Sequence, residues 1–538
     1  MTLSSAMILV DQTSVPLAIP DAMQDLKGPV SDGQWILTAN MLPLAAFMVL
    51  GGRLGDIFGL KKIFLIGAAV FSVSSALAGL SQDLPWMIIA RAVQGAGAAL
   101  MMPTAVAIVS ATYPKAERGR ALGLLAGFAA FAAALGPVVG GGLASIDWRL
   151  VFLVNVPLAI ATVMLTLRFT DTLGPAEDAD RHLDLPGVVT FSIGIIGIVF
   201  GLGQGQAVGW GDPQVVIALG AAVLGFVAFG FVETRVKNPM IEFKLFRHLN
   251  FLAANISQFL AGMIELGTAY LLPYFLLVTI GFSPLVAGIA LIPATIPIMI
   301  AGPLAGRFFD KVGGRVPLTI GFLTLGASGV ALALAAPQIS YPLLIPGLVL
   351  QGIGLGIVLT VNDPTGLGAV DDDEQGQASG VINTTEQLGG AVGIALLTAV
   401  LLGTYRDRLY DLLAKKGIHP TAAQSSEWKQ FILTIEQRGR EHINFHHQDD
   451  VIRYAIHDVV VAHAHAYQIV FFSTSGIAIL GAIFSWFLVT KNTRIEEGHI
   501  FVRRSRWQYT NTGRTPGVTK RPPTAREIAS DRAEDEAR

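Results

Sequence analysis

A short polar turn between two apolar segments reads Gly52-Arg53-Leu54-Gly55-Asp56-Ile57-Phe58-Gly59-Leu60-Lys61-Lys62. Its pattern, Asp56-x-x-Gly59-x-Lys61, returns as Asp310-x-x-Gly313-x-Arg315, at an offset of 310 − 56, or 254 residues. Both copies join one apolar segment to the next and carry basic residues beside a glycine. We therefore expect the two turns to lie at equivalent places in two related halves of the chain.

Two further motifs repeat at nearly the same distance. Gln94-Gly95-x-Gly97 returns as Gln351-Gly352-x-Gly354, at an offset of 351 − 94, or 257 residues. Leu135-Gly136 with Gly140 returns as Leu388-Gly389 with Gly393, at an offset of 388 − 135, or 253 residues. Three nearly equal offsets predict an internal duplication, and small residues at such spacing allow helices to pack closely.

The composition indicates a membrane protein. Of the 538 residues, 52% are hydrophobic and 14% are charged, and the mean hydropathy is +0.58. Soluble domains carry about 25% charged residues. The chain has no cysteine, which excludes disulfides and cysteine metal sites. A net charge of −2 gives no reason to expect nucleic acid as a partner.

Apolar segments long enough to cross a bilayer recur along the whole chain. They cover 3–21, 34–54, 62–81, 85–110, 120–145, 150–169, 186–205, 213–233, 250–279, 285–306, 316–336, 341–361, 378–403 and 466–490. The first lacks the basic start and the cleavage site of a signal peptide, so we expect it to remain as a span. The sequence thus predicts an all-α polytopic membrane protein with 14 transmembrane helices.

The repeat divides these helices into domains. We expect a six-helix bundle at 1–169, two linker transmembrane helices within 170–248, and a second six-helix bundle at 249–490. The second bundle would include a long extracytoplasmic loop at 404–465, and residues 491–538 would form a disordered cytoplasmic tail. Two parallel halves place a substrate site between them near the middle of the bilayer.

Basic residues select the orientation of the helices. One set of alternate loops is rich in Lys and Arg, at positions 53, 61, 62, 115, 118, 120, 235, 237, 244, 247, 307, 311 and 315. The opposite short loops contain only Lys27 and Arg149. Because basic loops stay in the cytoplasm, we expect both termini there and the protein in the inner membrane. The loop after the twelfth helix departs from the pattern with four acidic residues at 371–374.

These motifs resemble those of the major facilitator superfamily. The turn at 52–62 is similar to the superfamily's signature loop, with Ile57 where Arg is usual. Residues 91–97, Arg91-Ala92-Val93-Gln94-Gly95-Ala96-Gly97, resemble its helix-four motif. Residues 136–141, Gly136-Pro137-Val138-Val139-Gly140-Gly141, resemble the helix-five antiporter motif, with Ala132 in place of its leading Gly.

The start of the chain resembles the 14-helix drug:proton antiporters of that superfamily. Residues 11–20, Asp11-Gln12-Thr13-Ser14-Val15-Pro16-Leu17-Ala18-Ile19-Pro20, are similar to this branch's helix-one motif, with Pro16 where Asn is usual. The resemblance implies two six-helix bundles plus two extra helices. It also implies a multidrug efflux permease that exports lipophilic, cationic small molecules by alternating access, in exchange for protons.

Three ionisable residues in apolar helices are candidates for proton coupling: Asp11, Arg91 and Glu265. A charge at that depth is costly unless it faces a cavity or a partner. Asp11 could bind a proton and attract a cation, so the two would compete. The resemblance gives Arg91 a role in proton coupling as the partner of an acid. Glu265 would be a second protonation or cation-recognition site.

Two larger sets of residues are expected to form the substrate cavity and the gates. The expected cavity is lined by polar and aromatic residues: Asp11, Gln12, Gln94, Asn255, Gln258, Glu265, Tyr270 and Tyr274. The expected gating set contains the repeated turns and the helix-five glycines: Gly52, Asp56, Gly59, Lys61, Lys62, Asp310, Gly313, Arg315, Gly136, Pro137, Gly140 and Gly141. Asp363 and Glu386 lie nearer the helix ends, and we interpret them as interfacial charges.

Other functions have weaker support. The histidines of 404–465 match no zinc spacing, so we expect no metal, and we expect no cofactor. A GxxxxGK[ST] phosphate-binding loop and a nucleophile–base set are both absent, which argues against an ATP-driven pump and an enzyme. A dedicated exporter of a metabolite or antibiotic, a nutrient symporter and a non-transport membrane receptor remain as alternatives.

Overall fold

The computed structural model describes residues 1–28, 30–112, 135–170, 184–236, 241–370, 375–415 and 450–490, with isolated positions at 125, 128, 131, 132 and 239. All regular secondary structure in these residues is helical. Because helices satisfy their backbone hydrogen bonds internally, they suit a chain this apolar. The tail, the acidic loop at 371–374 and Asp56's side chain lie outside the described residues.

The first half of the chain contains the helices that carry the first copy of each repeated motif. Their bounds are Thr2–Asp25 (α1), Gln34–Phe58 (α2), Leu60–Gly79 (α3), Leu84–Thr112 (α4), Leu135–Ala144 (α5), Leu150–Leu153 (α6) and Asn155–Phe169 (α7). A 3-10 turn at Val30–Gly33 leads into α2. The predicted span 150–169 is therefore interrupted at Val154, between α6 and α7.

Two linker helices follow, at Leu185–Val208 (α8) and Pro213–Glu233 (α9). Each begins with an aspartate cap followed by proline, a combination that favours a helix start. Asp184 accepts a hydrogen bond from the Gly187 amide, and Asp212 accepts one from the Gln214 amide, both at 2.8 Å. The α8–α9 hairpin contacts both halves of the protein, because α8 packs against α2 and also against the helix at 375–415.

The second half repeats the pattern of the first. Its helices are Leu249–Tyr274 (α10), Pro284–Ala290 (α11), Ile292–Val312 (α12), Arg315–Ala335 (α13), Tyr341–Leu367 (α14), Gln375–Lys415 (α15) and Asp450–Leu488 (α16). A π-helical turn at Phe275–Ile280 extends α10, and 3-10 turns occupy Phe243–Arg247 and Ala336–Gln338. The predicted span 285–306 is divided at Leu291.

The helix count agrees with the sequence. Twelve helices in the described part of the chain are long and apolar enough to span a membrane. The 25-residue α2 corresponds to the predicted span 34–54, and α5 is the described part of the span 120–145. The described part of each of the fourteen predicted segments is therefore largely helical.

The predicted outer loop at 404–465 is shorter in the structure. Helix α15 continues to Lys415 and α16 begins at Asp450, so only 416–449 lie outside the described residues. The prediction ended the helix at 403 because hydropathy falls there. The next two turns carry Arg406, Asp407 and Arg408 beside apolar residues such as Tyr405 and Leu409, which are buried. Such an amphipathic extension stays helical although its mean hydropathy is low.

The internal repeat is visible in the backbone. Gly59, between α2 and α3, has φ +97°, and Gly313, between α12 and α13, has φ +76°. A side chain would strain both positions, which explains why glycine recurs in the two turns. A β-carbon at Gly95 would lie 2.0 Å from the carbonyl oxygen of Asn40, and one at Gly352 would lie 2.1 Å from that of Ala294. Equivalent helices therefore approach equally closely in each half.

Candidate substrate and proton site

A cavity of about 410 Å³ lies between the two halves. Helices α1 and α5 form its wall on the first half, and α10, α12, α14 and α15 form its wall on the second. It is lined by Leu9, Gln12, Thr13, Pro137, Gln258, Glu265, Leu266, Thr268, Ala269, Leu272, Pro273, Leu291, Ala294, Thr295, Ile298, Gln351, Leu355, Leu359, Asp363 and Glu386. An apolar lining with a few polar groups is typical of sites for small molecules.

Three carboxyl groups face this cavity, all from the second half. Glu265 lies on α10, Asp363 on α14 and Glu386 on α15. The described residues that line the cavity include no Lys, Arg or His. Three carboxylates in one cavity would repel each other strongly when all are ionised. The cavity is therefore suited to hold protons or an organic cation beside them.

Amide side chains hold one of these carboxyl groups in place. Gln258 donates a hydrogen bond to Glu386, and the Gln258 carbonyl oxygen accepts one from Asn362 at 2.6 Å. Asn362 also donates to the Ala254 carbonyl at 3.0 Å. This chain of contacts links α10, α14 and α15, so Glu386 has a fixed position at the cavity wall.

A second amide lines the cavity beside Glu265. Gln351 donates to the Thr268 hydroxyl at 2.5 Å, and Thr268 in turn donates to the Ile264 carbonyl at 2.6 Å. Within the described residues, Glu265 Oε2 and Gln351 Oε1 are buried without a hydrogen-bond partner. Buried acceptors are rarely left unpaired in native proteins, so these two oxygens are suited to receive a donor from the cavity.

Asp11 lies apart from this cavity, in a buried network within the first half. Arg91 Nη1 is 2.6 Å from Asp11 Oδ2, and neither side chain is more than 1% exposed. Asn155 and Gln94 donate to the other carboxylate oxygen at 2.9 and 3.2 Å. Arg91 Nε donates to the Ile36 carbonyl at 2.8 Å. The acid that Arg91 was expected to pair with is therefore Asp11, and both charges are compensated.

The expected cavity set is only partly brought together. Gln12, Gln258 and Glu265 line the cavity, and Gln12 donates to Gln387 of the second half at 3.4 Å. The other members of the expected set lie outside its lining: Asp11, Gln94, Asn255, Tyr270 and Tyr274. Asn255 instead accepts from Thr385 at 3.0 Å, which holds α10 against α15.

The aromatic members of that set lie in helix contacts. Tyr270 and Tyr274 are 4% and 5% exposed and belong to the hydrophobic core. The Tyr274 ring lies 6.2 Å from that of His463, which is buried on α16 although the sequence placed it in the outer loop. His463 Nδ1 is 2.6 Å from the Thr279 hydroxyl. These rings pack α10 against α16 at the end of the π-helical turn.

Polar residues that line the cavity were missed for a physical reason. Asp363 and Glu386 were interpreted as interfacial charges, and Gln351 was noted only as part of a repeat. Depth along a helix can be estimated from sequence, whereas the direction of a side chain depends on the rotation of the helix against its neighbours. Gln351 corresponds to Gln94 in the repeat, and that equivalence was a signal that the position is an interior one.

The expected gating residues make different contacts in the two halves. Lys61 donates to the Thr170 carbonyl at 2.5 Å, and the Arg315 guanidinium lies 4.4 Å from the centre of a Trp486 ring. Lys62 and Asp310 are exposed, and Gly52 is half-buried. The two turns thus share a glycine with positive φ, while the described side chains of Lys61 and Arg315 contact different partners.

The helix-five glycines form two separate contacts. A β-carbon at Gly136 or Gly140 would meet Thr13 or Ser14 of α1, and Ser14 donates to the Gly136 carbonyl at 2.9 Å. The opposite face meets the second half of the protein. A β-carbon at Gly141 would lie 2.3 Å from the Pro284 carbonyl oxygen, and one at Gly288 would lie 2.2 Å from that of Pro137. Helix α5 therefore joins the two halves through a close contact with α11.

Comparison with known proteins identifies the family of this chain. Residues 1–394 match the family described as Major Facilitator Superfamily. The chain is 30% identical over 413 residues to the tetracenomycin C resistance and export protein of Streptomyces glaucescens, covering 77% of each chain. It is 30% identical over 397 residues to the multidrug resistance protein Stp of Mycobacterium tuberculosis (strain CDC 1551 / Oshkosh), covering 73% of each.

A solved structure supports the same fold. The chain is similar to a bacterial homolog to the human lysosomal transporter Spinster, with a TM-score of 0.58 and 15% identity. The likeness covers 91% of this chain and 95% of that one. At this identity the comparison establishes the architecture only.

Proposed function

Because this chain belongs to the Major Facilitator Superfamily, we propose that it is a secondary active exporter that exchanges protons for lipophilic, cationic compounds by alternating access. The family and the apolar helices make it a multi-pass membrane protein whose partners are the lipid bilayer and a small-molecule substrate. The names of its relatives, a resistance and export protein and a multidrug resistance protein, support efflux of drugs or antibiotics.

The charge of the cavity lining supports a cation as the substrate. Glu265, Asp363 and Glu386 face a largely apolar cavity whose described lining contains no basic side chain. An organic cation with an apolar body fits both features, because its charge offsets the carboxylates while its carbon atoms cover the apolar wall. An anionic substrate would add repulsion.

Competition at these carboxyl groups provides the coupling. When the cavity is empty, protons on the carboxyl groups limit the repulsion between them. An entering cation replaces the protons, because cation and protons offset the same charge. After the cavity opens to the other side, protons displace the cation and the protein returns. Direct exchange at one site needs no ATP and accounts for antiport.

The Asp11–Arg91 pair has a different role in this proposal. Its charges already compensate each other, so in this arrangement the pair does not need a substrate or a proton. It holds α1 against α4, and a proton arriving at Asp11 would release that contact. We therefore assign Glu265 to exchange with substrate, and Asp11 with Arg91 to stability of the first half and to the conformational change.

The orientation follows from the basic loops, with both termini in the cytoplasm of an inner-membrane protein. The two halves then meet at Gly141 and Pro284 near their outer ends. The cavity extends to Asp363, one turn before α14 ends at Leu367 on the cytoplasmic side. This arrangement would accept substrate from the cytoplasm.

Labelling of single cysteines tests the orientation, and the native chain contributes no cysteine of its own. Gly211→Cys, in an open position between α8 and α9, should react with a membrane-impermeant maleimide in intact cells. Lys311→Cys, exposed at the end of α12, should react only after permeabilisation. The opposite pattern would reverse the proposed orientation.

Transport in proteoliposomes tests the function itself. Purified protein is reconstituted, a pH gradient is imposed, and movement of tetraphenylphosphonium is followed for wild type, Glu265→Gln and Asp212→Asn. The wild type should move the cation in the direction opposite to the flow of protons, and Glu265→Gln should abolish this movement. Asp212→Asn should behave as wild type, because asparagine also caps a helix and Asp212 does not line the cavity.

Other outcomes would favour other functions. Movement of tetraphenylphosphonium that is independent of the pH gradient would contradict proton coupling. A folded protein that moves no lipophilic cation, yet moves an antibiotic when tested, would indicate a dedicated exporter, a candidate that the name of the Streptomyces glaucescens relative supports.

A further inference from the structure

We propose that the cavity contains a subsite for the N–H groups of a protonated amine, formed by the carboxyl group of Glu265 and the side-chain carbonyl oxygen of Gln351. The inference rests on the proposed function. Among lipophilic cations, it identifies amines that carry both a positive charge and at least one N–H donor as the preferred substrates.

Hydrogen bonds determine which end of the Gln351 amide, Nε2 or Oε1, faces Thr268. The Thr268 hydroxyl has one hydrogen, and the Ile264 carbonyl accepts it at 2.6 Å. Thr268 Oγ1 can therefore only accept from Gln351, at 2.5 Å. Turning the amide over would either place two acceptors against each other or cost the Thr268 hydroxyl its hydrogen bond to the Ile264 carbonyl. The hydrogen-bond network thus holds Gln351 Nε2 toward Thr268 and leaves Gln351 Oε1 as the free group.

The cavity wall contains two unpaired acceptors, Gln351 Oε1 and Glu265 Oε2. Gln351 is 6% exposed, and its Oε1 has no hydrogen-bond partner in the described part of the chain. Glu265 Oε2 is likewise buried and has no hydrogen-bond partner among the described residues. Glu265 precedes Thr268 by one turn on α10, so the two share a helix face. All three side chains line the cavity, on the neighbouring helices α10 and α14, and Gln351 is joined to Thr268 by a hydrogen bond.

The chemistry of the two oxygens defines the ligand that the subsite would bind. A buried acceptor without a partner costs free energy, so Gln351 Oε1 requires an N–H or O–H group, and Glu265 requires either a proton or a cation. A proton on Glu265 supplies one O–H donor when no substrate is bound. A protonated amine, even a tertiary one with a single N–H, supplies a positive charge beside ionised Glu265 and a donor for Gln351 Oε1. One positive charge leaves and one enters, so the charge of the subsite is unchanged by the exchange.

A quaternary ammonium ion meets only half of this requirement. It offsets the charge of Glu265, but it has no N–H and leaves Gln351 Oε1 unpaired. Leaving one buried acceptor unpaired weakens binding by about tenfold. A protonated tertiary amine should therefore bind about tenfold more tightly than its N-methylated derivative, which has the same charge and nearly the same shape.

Competition binding tests the subsite directly. The full-length protein in nanodiscs at pH 7 binds radiolabelled tetraphenylphosphonium, which is displaced by imipramine or by its N-methyl quaternary salt. Imipramine should displace it at about tenfold lower concentration in wild type. Gln351→Leu removes the acceptor and should bring the two ligands to equal affinity. Binding of tetraphenylphosphonium, which has no N–H, should persist in this variant and shows that it is folded.

Thr268 provides a matched pair of variants. Thr268→Val keeps the shape but removes the acceptor that orients the amide, so the preference for imipramine should fall. Thr268→Ser keeps the hydroxyl and should keep the preference. Equal affinity of both ligands in wild type overturns the subsite, and so does a preference that survives Gln351→Leu. Absence of any tetraphenylphosphonium binding to folded wild type would instead contradict the proposed function, and the subsite with it.

Discussion

At the scale of single residues, Asp11 and Glu265 show how similar positions acquire different roles. Each is an isolated acid in an apolar helix. Asp11 receives Arg91 at 2.6 Å and two amide donors, while Glu265 Oε2 has no hydrogen-bond partner within the described residues. A buried pair must keep both partners, because loss of one leaves the other charge uncompensated. We therefore propose that Asp11 acts on stability and that Glu265 acts on exchange.

This difference predicts the effect of removing each charge at Asp11 and Arg91. Asp11→Asn leaves Arg91 buried and unpaired and should destabilise the protein by about 3–5 kcal/mol. Arg91→Gln in the same chain removes the remaining charge and should restore much of that loss. The measurement is thermal unfolding of the purified protein.

Asp25 supplies the control for that comparison. It contacts Arg149 at 2.5 Å, but the two side chains are 48% and 31% exposed. An exposed pair contributes about 0–1 kcal/mol, so Asp25→Asn should scarcely change the unfolding temperature. Equal effects of Asp11→Asn and Asp25→Asn would contradict the structural role assigned to Arg91.

At the scale of helices, α5 contacts both halves through alternating small residues. Gly136 and Gly140 share one face and meet α1, whereas Pro137 and Gly141 share another face and meet α11. Residues four apart lie on the same side of a helix, so one short motif serves two contacts. The contact with α1 lies within the first half. In the proposed cycle this contact is kept, whereas the contact with α11 opens when the cavity faces outward.

Adjacent glycines on α5 test this assignment. A β-carbon at Gly141 would lie 2.3 Å from the Pro284 carbonyl oxygen, whereas one at Gly142 has its nearest neighbour at 3.8 Å. Gly141→Ala should weaken the contact between the halves by about 1–3 kcal/mol and lower gradient-driven transport by about tenfold or more. Gly142→Ala should transport as wild type. Equal transport by the two variants would show that the α5–α11 contact does not limit the cycle.

At the scale of the whole molecule, the sequence predicted the architecture well, and the reason is physical. Crossing a bilayer requires long apolar segments, and such segments can be recognised directly along the chain. The repeat of Asp56-x-x-Gly59 at Asp310-x-x-Gly313 also survived as a repeated backbone conformation. These properties depend on local sequence, so no knowledge of packing was needed.

The cavity was less predictable because it depends on packing between distant segments. Asp11 was expected in the cavity, but Arg91, 80 residues away in sequence, holds it in the first half. Glu386 and Asp363 were interpreted as interfacial charges, yet both face the cavity. The rotation of each helix decides these outcomes, and hydropathy carries little information about rotation in helices that are apolar on every side.

The α8–α9 hairpin also becomes interpretable only in the assembled molecule. It contacts the first half where the Trp35 and Phe200 rings lie 5.8 Å apart. On the other side a series of ring contacts connects it to the start of α10, through Phe191, Phe229, Phe243, Phe246 and Phe251. The linker helices therefore contact both halves that the proposed cycle moves relative to each other.

The central claim is that a cation and protons replace each other at the carboxyl groups of one cavity. Its most direct test is proton release when tetraphenylphosphonium binds to the purified protein in weakly buffered solution, followed with a pH indicator. The account predicts that wild type releases protons on binding, and that Glu265→Gln releases fewer. Binding without proton release, or equal release by Glu265→Gln and wild type, would contradict exchange at this site.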